Sequence, residues 1–117
     1  MRIGIAAESD MGLQARVSRH FGRCSHYVLV DVEDNSVKEV ATIENPFHKA
    51  HEEPGRVPSF IRDQGVDVII AGSMGGQAMG FFMGFGIQTV TRAMGSVKES
   101  LDNYLAGNYS DSTRFIS

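Results

Sequence analysis

The sequence is poor in the residues on which small secreted and metal-caged domains depend. Its 117 residues include one cysteine and no tryptophan. A single cysteine excludes an internal disulfide, a four-cysteine zinc site and a site of two cysteines and two histidines. Any metal held here must use histidine or arrive from outside. There are only three prolines, and no repeat, linker or low-complexity stretch is visible. A chain this long lies in the single-domain range of roughly 100 to 200 residues and can bury its own core.

Long hydrophobic runs are missing as well. The opening segment Met1-Arg2-Ile3-Gly4-Ile5-Ala6-Ala7-Glu8 reaches an acid too soon for a signal-peptide core. The apolar stretch Ala78 to Ile87 contains Gly80, Gly84 and Gly86 and is half the length of about 20 residues that a membrane span needs. The expectation is a cytoplasmic protein with no membrane partner. With 11 basic and 14 acidic residues the net charge is −3, which lacks the basic face that general nucleic-acid binding requires.

Positive charge is concentrated in one place. Residues 16–24, Arg-Val-Ser-Arg-His-Phe-Gly-Arg-Cys, carry Arg16, Arg19 and Arg23 with no acid, so the segment is +3 and the rest of the chain is −6. Such a run is either a solvated basic loop or a local anion site.

Hydrophobic periodicity gives the order β-β-β-α-β-α-β-α. Residues 2–7 read as a buried strand. Tyr27 to Val32 and Val37 to Ile43 form a hairpin around the polar turn Glu33-Asp34-Asn35-Ser36. A loop from Glu44 to Gly55, broken by Asn45-Pro46 and Pro54, leads to a short helix bearing Val57, Phe60 and Ile61 and stopped by Gly65. Val66 to Ala71 is the fourth strand. Gly72-Ser73-Met74-Gly75-Gly76 opens a helix with Ala78, Met79, Phe82 and Met83, and Ile87 to Val90 is the fifth strand. Ser96-Val97-Lys98-Glu99 is a capping box for a last helix that stops at Gly107. Together these elements predict an α/β domain with a mixed five-stranded sheet and helices on its faces over residues 1–107, followed by a polar tail at 108–117.

In such a sheet, ligands favour the crevice beyond the carboxyl ends of the parallel strands. The topology brings residues 9–24, the His48/His51 loop and the glycine turn at 72–76 toward it. The four histidines, His20, His26, His48 and His51, all lie outside the predicted helices. Imidazole and thiolate are ligand types that iron, zinc and copper accept, and a Cys24 thiolate among arginines would have a lowered pKa. Taken singly, His48 and His51 also read as polar surface, His26 as a strand-edge residue and Cys24 as a small buried hydrophobe. The glycine turn lacks the lysine of a P-loop, which favours packing as the reason for its glycines. Met74, Met79, Met83 and Met94, at near-helical intervals, read as core filler.

The run Val17-Ser18-Arg19-His20-Phe21-Gly22-Arg23-Cys24, the strand ending at Asp31, Glu44-Asn45-Pro46, the loop to Gly55, Gly65-Val66-Asp67-Val68-Ile69-Ile70-Ala71-Gly72 and Gly86-Ile87 together resemble the dinitrogenase iron-molybdenum cofactor biosynthesis family. That family includes the NifX and NafY types and the carboxyl-terminal region of the NifB type. The resemblance covers residues 1–107, and its most specific elements are Ser-x-His-Phe-Gly-Arg and Glu-Asn-Pro. It implies a ribonuclease H-like fold and the carriage of an iron-sulfur or molybdenum-containing sulfide cluster or cofactor precursor between donor and acceptor proteins. It places His20 at the family's motif histidine and His51 in a loop where many members carry histidine. Cys24 departs from the alanine or serine common at its position.

The expected site is therefore His20, Cys24, Arg16, Arg19 and Arg23 around an anionic cluster, with His48 and His51 as further candidate ligands. The expected role is that of a carrier or scaffold, not a catalyst. Three other readings compete. A ribonuclease H-type nuclease needs an acid inside the first strand, and Glu8 comes only at its end. A cysteine hydrolase would use Cys24 with His20 or His26 as base, without an orienting third group. The last is a metal-free interaction module.

Overall fold

In a computed structural model, which describes residues 1–48 and 55–109, the apolar run at the start of the chain becomes β1 (Arg2–Ala7). It is the middle strand of a five-stranded sheet ordered β3-β2-β1-β4-β5. β2 (His26–Glu33) and β3 (Ser36–Glu44) pair antiparallel on one side. β4 (Val68–Ile70) and β5 (Gln88–Val90) pair parallel on the other. Three helices connect and cover them: α1 (Arg56–Asp63), α2 (Gly76–Phe85) and α3 (Val97–Leu105). The expected mixed sheet with helices is thus the one found, and each element has a local cause.

The hairpin turns through Asp34 and Asn35, both left-handed at φ 50° and 63°. These are residue types that tolerate this conformation, and two successive positive φ angles give the turn whose twist matches the strands it joins. At α3 the capping box is complete. Glu99 N–H donates to Ser96 Oγ at 3.0 Å and Ser96 N–H donates to the Glu99 carboxylate at 3.1 Å.

Alternation along the strands divides the core in two. Ile3, Ile5, Val28, Val30, Val68, Ile70 and Val90 face one side, closed by Val97 and Leu101 of α3. Tyr27, Leu29 and Ile69 face the other, closed by Ile61 of α1 and Phe82 of α2. Fully burying one such aliphatic or aromatic side chain contributes about 1.5–3 kcal/mol, so both faces are needed in a domain of this size. At the amino end of β1, Arg2 forms a two-pronged ion pair with Asp31, at 2.8 and 3.2 Å, and donates to Gln64 O at 2.7 Å. The guanidinium beside it holds the Asp31 carboxyl below its ordinary pKa.

No helix among the described residues is long and apolar enough to cross a membrane. Two sequence expectations need correction. The segment after β1 is not a free loop: it contains a 3-10 turn at Gly12–Gln14 and bridges to three other parts of the chain. Of the methionines read as core filler, Met83 faces out from α2, whose buried face carries Phe82, and Met94 is 76% exposed because Gly86 ends α2 before the helical spacing can reach position 94. His51 and most of the tail from 108 lie outside the described residues.

Candidate functional site

The three parallel strands β1, β4 and β5 end together, and the chain beyond each end contributes to one cleft of about 770 Å³. Glu8 follows β1, Gly72 follows β4, and Arg92 to Gly95 follow β5. The fourth wall is the basic segment itself, through Arg16, Val17, Arg19 and His20. This is the crevice to which the carboxyl ends of parallel strands point.

Backbone hydrogen bonds fix the basic segment there. Ser18 N donates to Ala6 O at 2.8 Å, and Glu8 N donates to Arg16 O at 3.0 Å, which ties the segment to the end of β1. Val17 N reaches Gly95 O at 2.9 Å, and Val97 N reaches Ala15 O at 2.8 Å. On the other side Gly72 N donates to Ser18 O at 2.9 Å, Phe21 N to Ser73 O at 3.2 Å, and Ser73 Oγ to Arg19 O at 2.7 Å. The residues flanking His20 are held from β1, from the turn after β4 and from the turn before α3.

The motif residues that are not charged build the turn carrying His20. The hydroxyl of buried Ser18 donates to His20 O at 3.0 Å and accepts from His20 N at 3.2 Å, closing a tight local turn. Phe21 is buried edge-on against Phe82, with ring centroids 5.1 Å apart. Its carbonyl accepts from Tyr27 Oη at 2.7 Å. Buried Asn45, of Glu44-Asn45-Pro46, donates from one amide nitrogen to Gly22 O at 3.2 Å and to Cys24 O at 2.8 Å. Apolar anchors and buried amides therefore leave Arg19 and His20 exposed at the cleft.

Electrostatically the lining is unusual for this chain. Three arginines less Glu8 give it +2, which leaves −5 on the remainder of a −3 chain. Among the described residues, no carboxylate lies within ion-pair distance of Arg16, Arg19 or Arg92. Guanidinium groups left unpaired around a concave site are ready-made donors to a multivalent anion. Among the described residues no group of three or more His, Cys, Asp or Glu side chains is placed to hold a bare metal ion. His20 brings one imidazole to the cleft.

The other expected site residues are placed differently. Cys24 is 3% exposed, its Sγ donates to Phe21 O at 3.4 Å, and burial pushes its thiol up to about 11. The expected low-pKa thiolate is therefore overturned: Phe21 and Cys24, three residues apart in one turn, both point into the core, and desolvation there disfavours the charged form. The same burial removes the nucleophile that a cysteine hydrolase would need. Arg23 is exposed but does not line the cleft. His48 is exposed and its Nδ1 lies 2.9 Å from Arg23 O, clamping its loop to the turn, while His26 Nδ1 sits 2.8 Å from Ser25 Oγ. Neither histidine lines the cleft.

Glu8, Arg92 and Met94 line the cleft although the sequence reading did not select them. The crevice rule could have found Arg92 and Met94, because it applies to the end of β5 as well as to β1 and β4.

Residues 1–107 match the family described as Dinitrogenase iron-molybdenum cofactor. An uncharacterised protein of Methanocaldococcus jannaschii is 31% identical over 93 residues, 79% of each chain. The crystal structure of the protein PH0822 superposes with a TM-score of 0.84 at 34% identity, covering 96% of both chains. The apo form of the orange protein from Desulfovibrio gigas shares the fold with a TM-score of 0.81 at 22% identity, over 95% of this chain and 92% of that one.

Proposed function

The chain belongs to the dinitrogenase iron-molybdenum cofactor family, and from that footing we propose that it carries or scaffolds an anionic metal-sulfide cluster or cofactor precursor in the cleft at the carboxyl ends of β1, β4 and β5. The observation that carries this reading is the meeting, in a single concave site, of one imidazole with the guanidinium groups of Arg16 and Arg19, which have no ion-pair partner among the described residues. The donor set fits cargo better than a resident metal. A caged ion requires several protein ligands, whereas a preassembled sulfide cluster brings its own and presents net negative charge to the protein.

Arg16 and Arg19 bind by charge-assisted hydrogen bonds, and His20 supplies one coordinating or hydrogen-bonding nitrogen. Cys24 has no part in this. Because the arginine side chains are exposed, their hold is screened by water and salt, which suits a site that must give up its cargo to an acceptor protein. Residues 1–107 act as one ribonuclease H-like domain in the cytoplasm, as a carrier and not a catalyst.

The test is oxygen-free reconstitution with iron, sulfide and molybdate, comparing wild type with an Arg16→Ala/Arg19→Ala/His20→Ala variant. Metal and sulfide should co-purify with the first and be lost from the second. Identical loading of both would overturn the cleft as the site.

A further inference from the structure

Among the described residues three non-glycine residues adopt positive φ: Asp34, Asn35 and Arg92. The first two form the β2–β3 hairpin turn, where their side-chain type explains the conformation. Arg92, at φ 67°, has no such explanation. Arginine has a Cβ that clashes with the following carbonyl in the left-handed region, and it lacks the short polar side chain with which Asn or Asp offsets that clash. Glycine would fit this position with less strain, and the chain uses glycine at six other positive-φ positions.

The backbone is held in place by the end of β4. Arg92 N donates to Gly72 O at 2.8 Å and Ala93 N to Ala71 O at 3.4 Å, so the turn after β5 is stitched to the turn after β4. Neither bond uses the side chain, and no carboxylate pairs with the guanidinium among the described residues. Among the described residues, then, no hydrogen bond or ion pair uses the arginine side chain at 92. What Arg92 does is line the same cleft as Arg16 and Arg19, reaching it from the turn after β5 and not from the basic segment. Strain retained at one residue of a concave site points to a ligand-directed role.

We propose that Arg92 is an anion-binding residue kept at a conformationally unfavourable position for the sake of the ligand, so that the cleft clasps a multivalent anion from two sides. This rests on the anion-binding reading of the cleft and adds what that reading does not contain: a third guanidinium, from the far end of the sheet, whose presence costs stability. An anion with a single acceptor atom can satisfy only one wall. An anion with several acceptor atoms, such as a thiometallate, can take hydrogen bonds from both.

The consequence is an opposite response of stability and binding to one substitution. The probe is tetrathiomolybdate, a doubly charged anion with visible absorption, titrated without oxygen at low salt into wild type, Arg92→Gly, Arg92→Ala and Arg92→Lys. Arg92→Gly and Arg92→Ala should both weaken binding by about tenfold, as expected for one lost charge-assisted contact, and Arg92→Lys should fall between them and wild type. In thermal unfolding Arg92→Gly should melt at or above wild type, and Arg92→Ala, which keeps the strain, close to wild type. Undiminished affinity in Arg92→Gly overturns the role of Arg92 while leaving the cleft standing. A clear loss of melting temperature in both Gly and Ala variants would make the residue structural and also overturn it. Wild type without affinity for the anion overturns the cleft reading, and with it the clasp.

Discussion

A Cβ added to Gly72 would lie 2.8 Å from the Cα of Arg19 and 3.2 Å from its carbonyl oxygen. Both neighbours are backbone, so nothing flexible can swing aside. Gly72→Ala should push residues 18–20 off the end of β4, destabilise the fold by about 1–3 kcal/mol and weaken anion binding by shifting Arg19 and His20 together. Unfolding midpoints and anion titration measure the two effects. An unchanged pair of values would show that this close approach positions nothing.

Ser18 and Arg19 are adjacent but should respond in opposite ways. Ser18→Ala removes two hydrogen bonds to the His20 backbone, a loss of about 1–2 kcal/mol of stability, and the backbone amide resonances of residues 19–21 should move. Arg19→Ala removes an exposed side chain, so stability should stay within about 0.5 kcal/mol while anion affinity falls about tenfold. A folding defect in Arg19→Ala would mean that the guanidinium has a partner within the protein.

Cys24 should behave as a buried thiol. Alkylation at neutral pH should be slow in the folded protein and fast after denaturation, and the two rates can be read from the mass shift. The unfolded thiol ionises near its ordinary value of 9.0 and the folded one near about 11. The folded state therefore keeps its proton longer, so the stabilising contribution is complete below about pH 9 and is lost as pH rises toward 11, by up to about 1.4 kcal/mol per unit. Burial also raises the Tyr27 hydroxyl above its ordinary 10.0, which adds a loss of the same sign at higher pH. Urea midpoints between about pH 8 and about pH 10.5 should fall less steeply in Cys24→Ala than in wild type.

Salt should loosen the cargo without loosening the fold. The screening length drops from about 10 Å at 0.1 M to about 3 Å at 1 M. Exposed arginines should then lose most of their hold on an anion, whereas the two apolar core layers should be little affected. Anion affinity falling several-fold across this range, with an unchanged or higher melting temperature, is the expected pattern. Salt-insensitive affinity would indicate coordination, not charge, as the main bond.

The layers, the hairpin and the capping box were legible in the sequence because each depends on local period or local chemistry. The basic wall of the cleft was legible for the same reason: Arg16, Arg19 and His20 lie within five consecutive residues. Side-chain direction was not. Charge along the sequence places Cys24 among arginines, whereas the turn at residues 21–24 sends its thiol inward and leaves Arg23 outside. The crevice rule reaches Arg92 at the end of β5, but its φ was invisible, because a lone arginine after a short strand carries no local sign of a left-handed backbone.

The cleft's residues come from positions 8, 16–20, 72 and 92–95, which no local segment can bring together. A nascent chain that has emerged only through α2 already has its basic segment but lacks the opposite wall. An anion that contacts both the 16–20 segment and the turn after β5 would hold the last-made strand to the first. A copy that lacks the turn after β5 keeps Arg16 and Arg19 but not the complete cleft, and an anion bound to the complete cleft would stabilise the fold by an amount that grows with the logarithm of its free concentration.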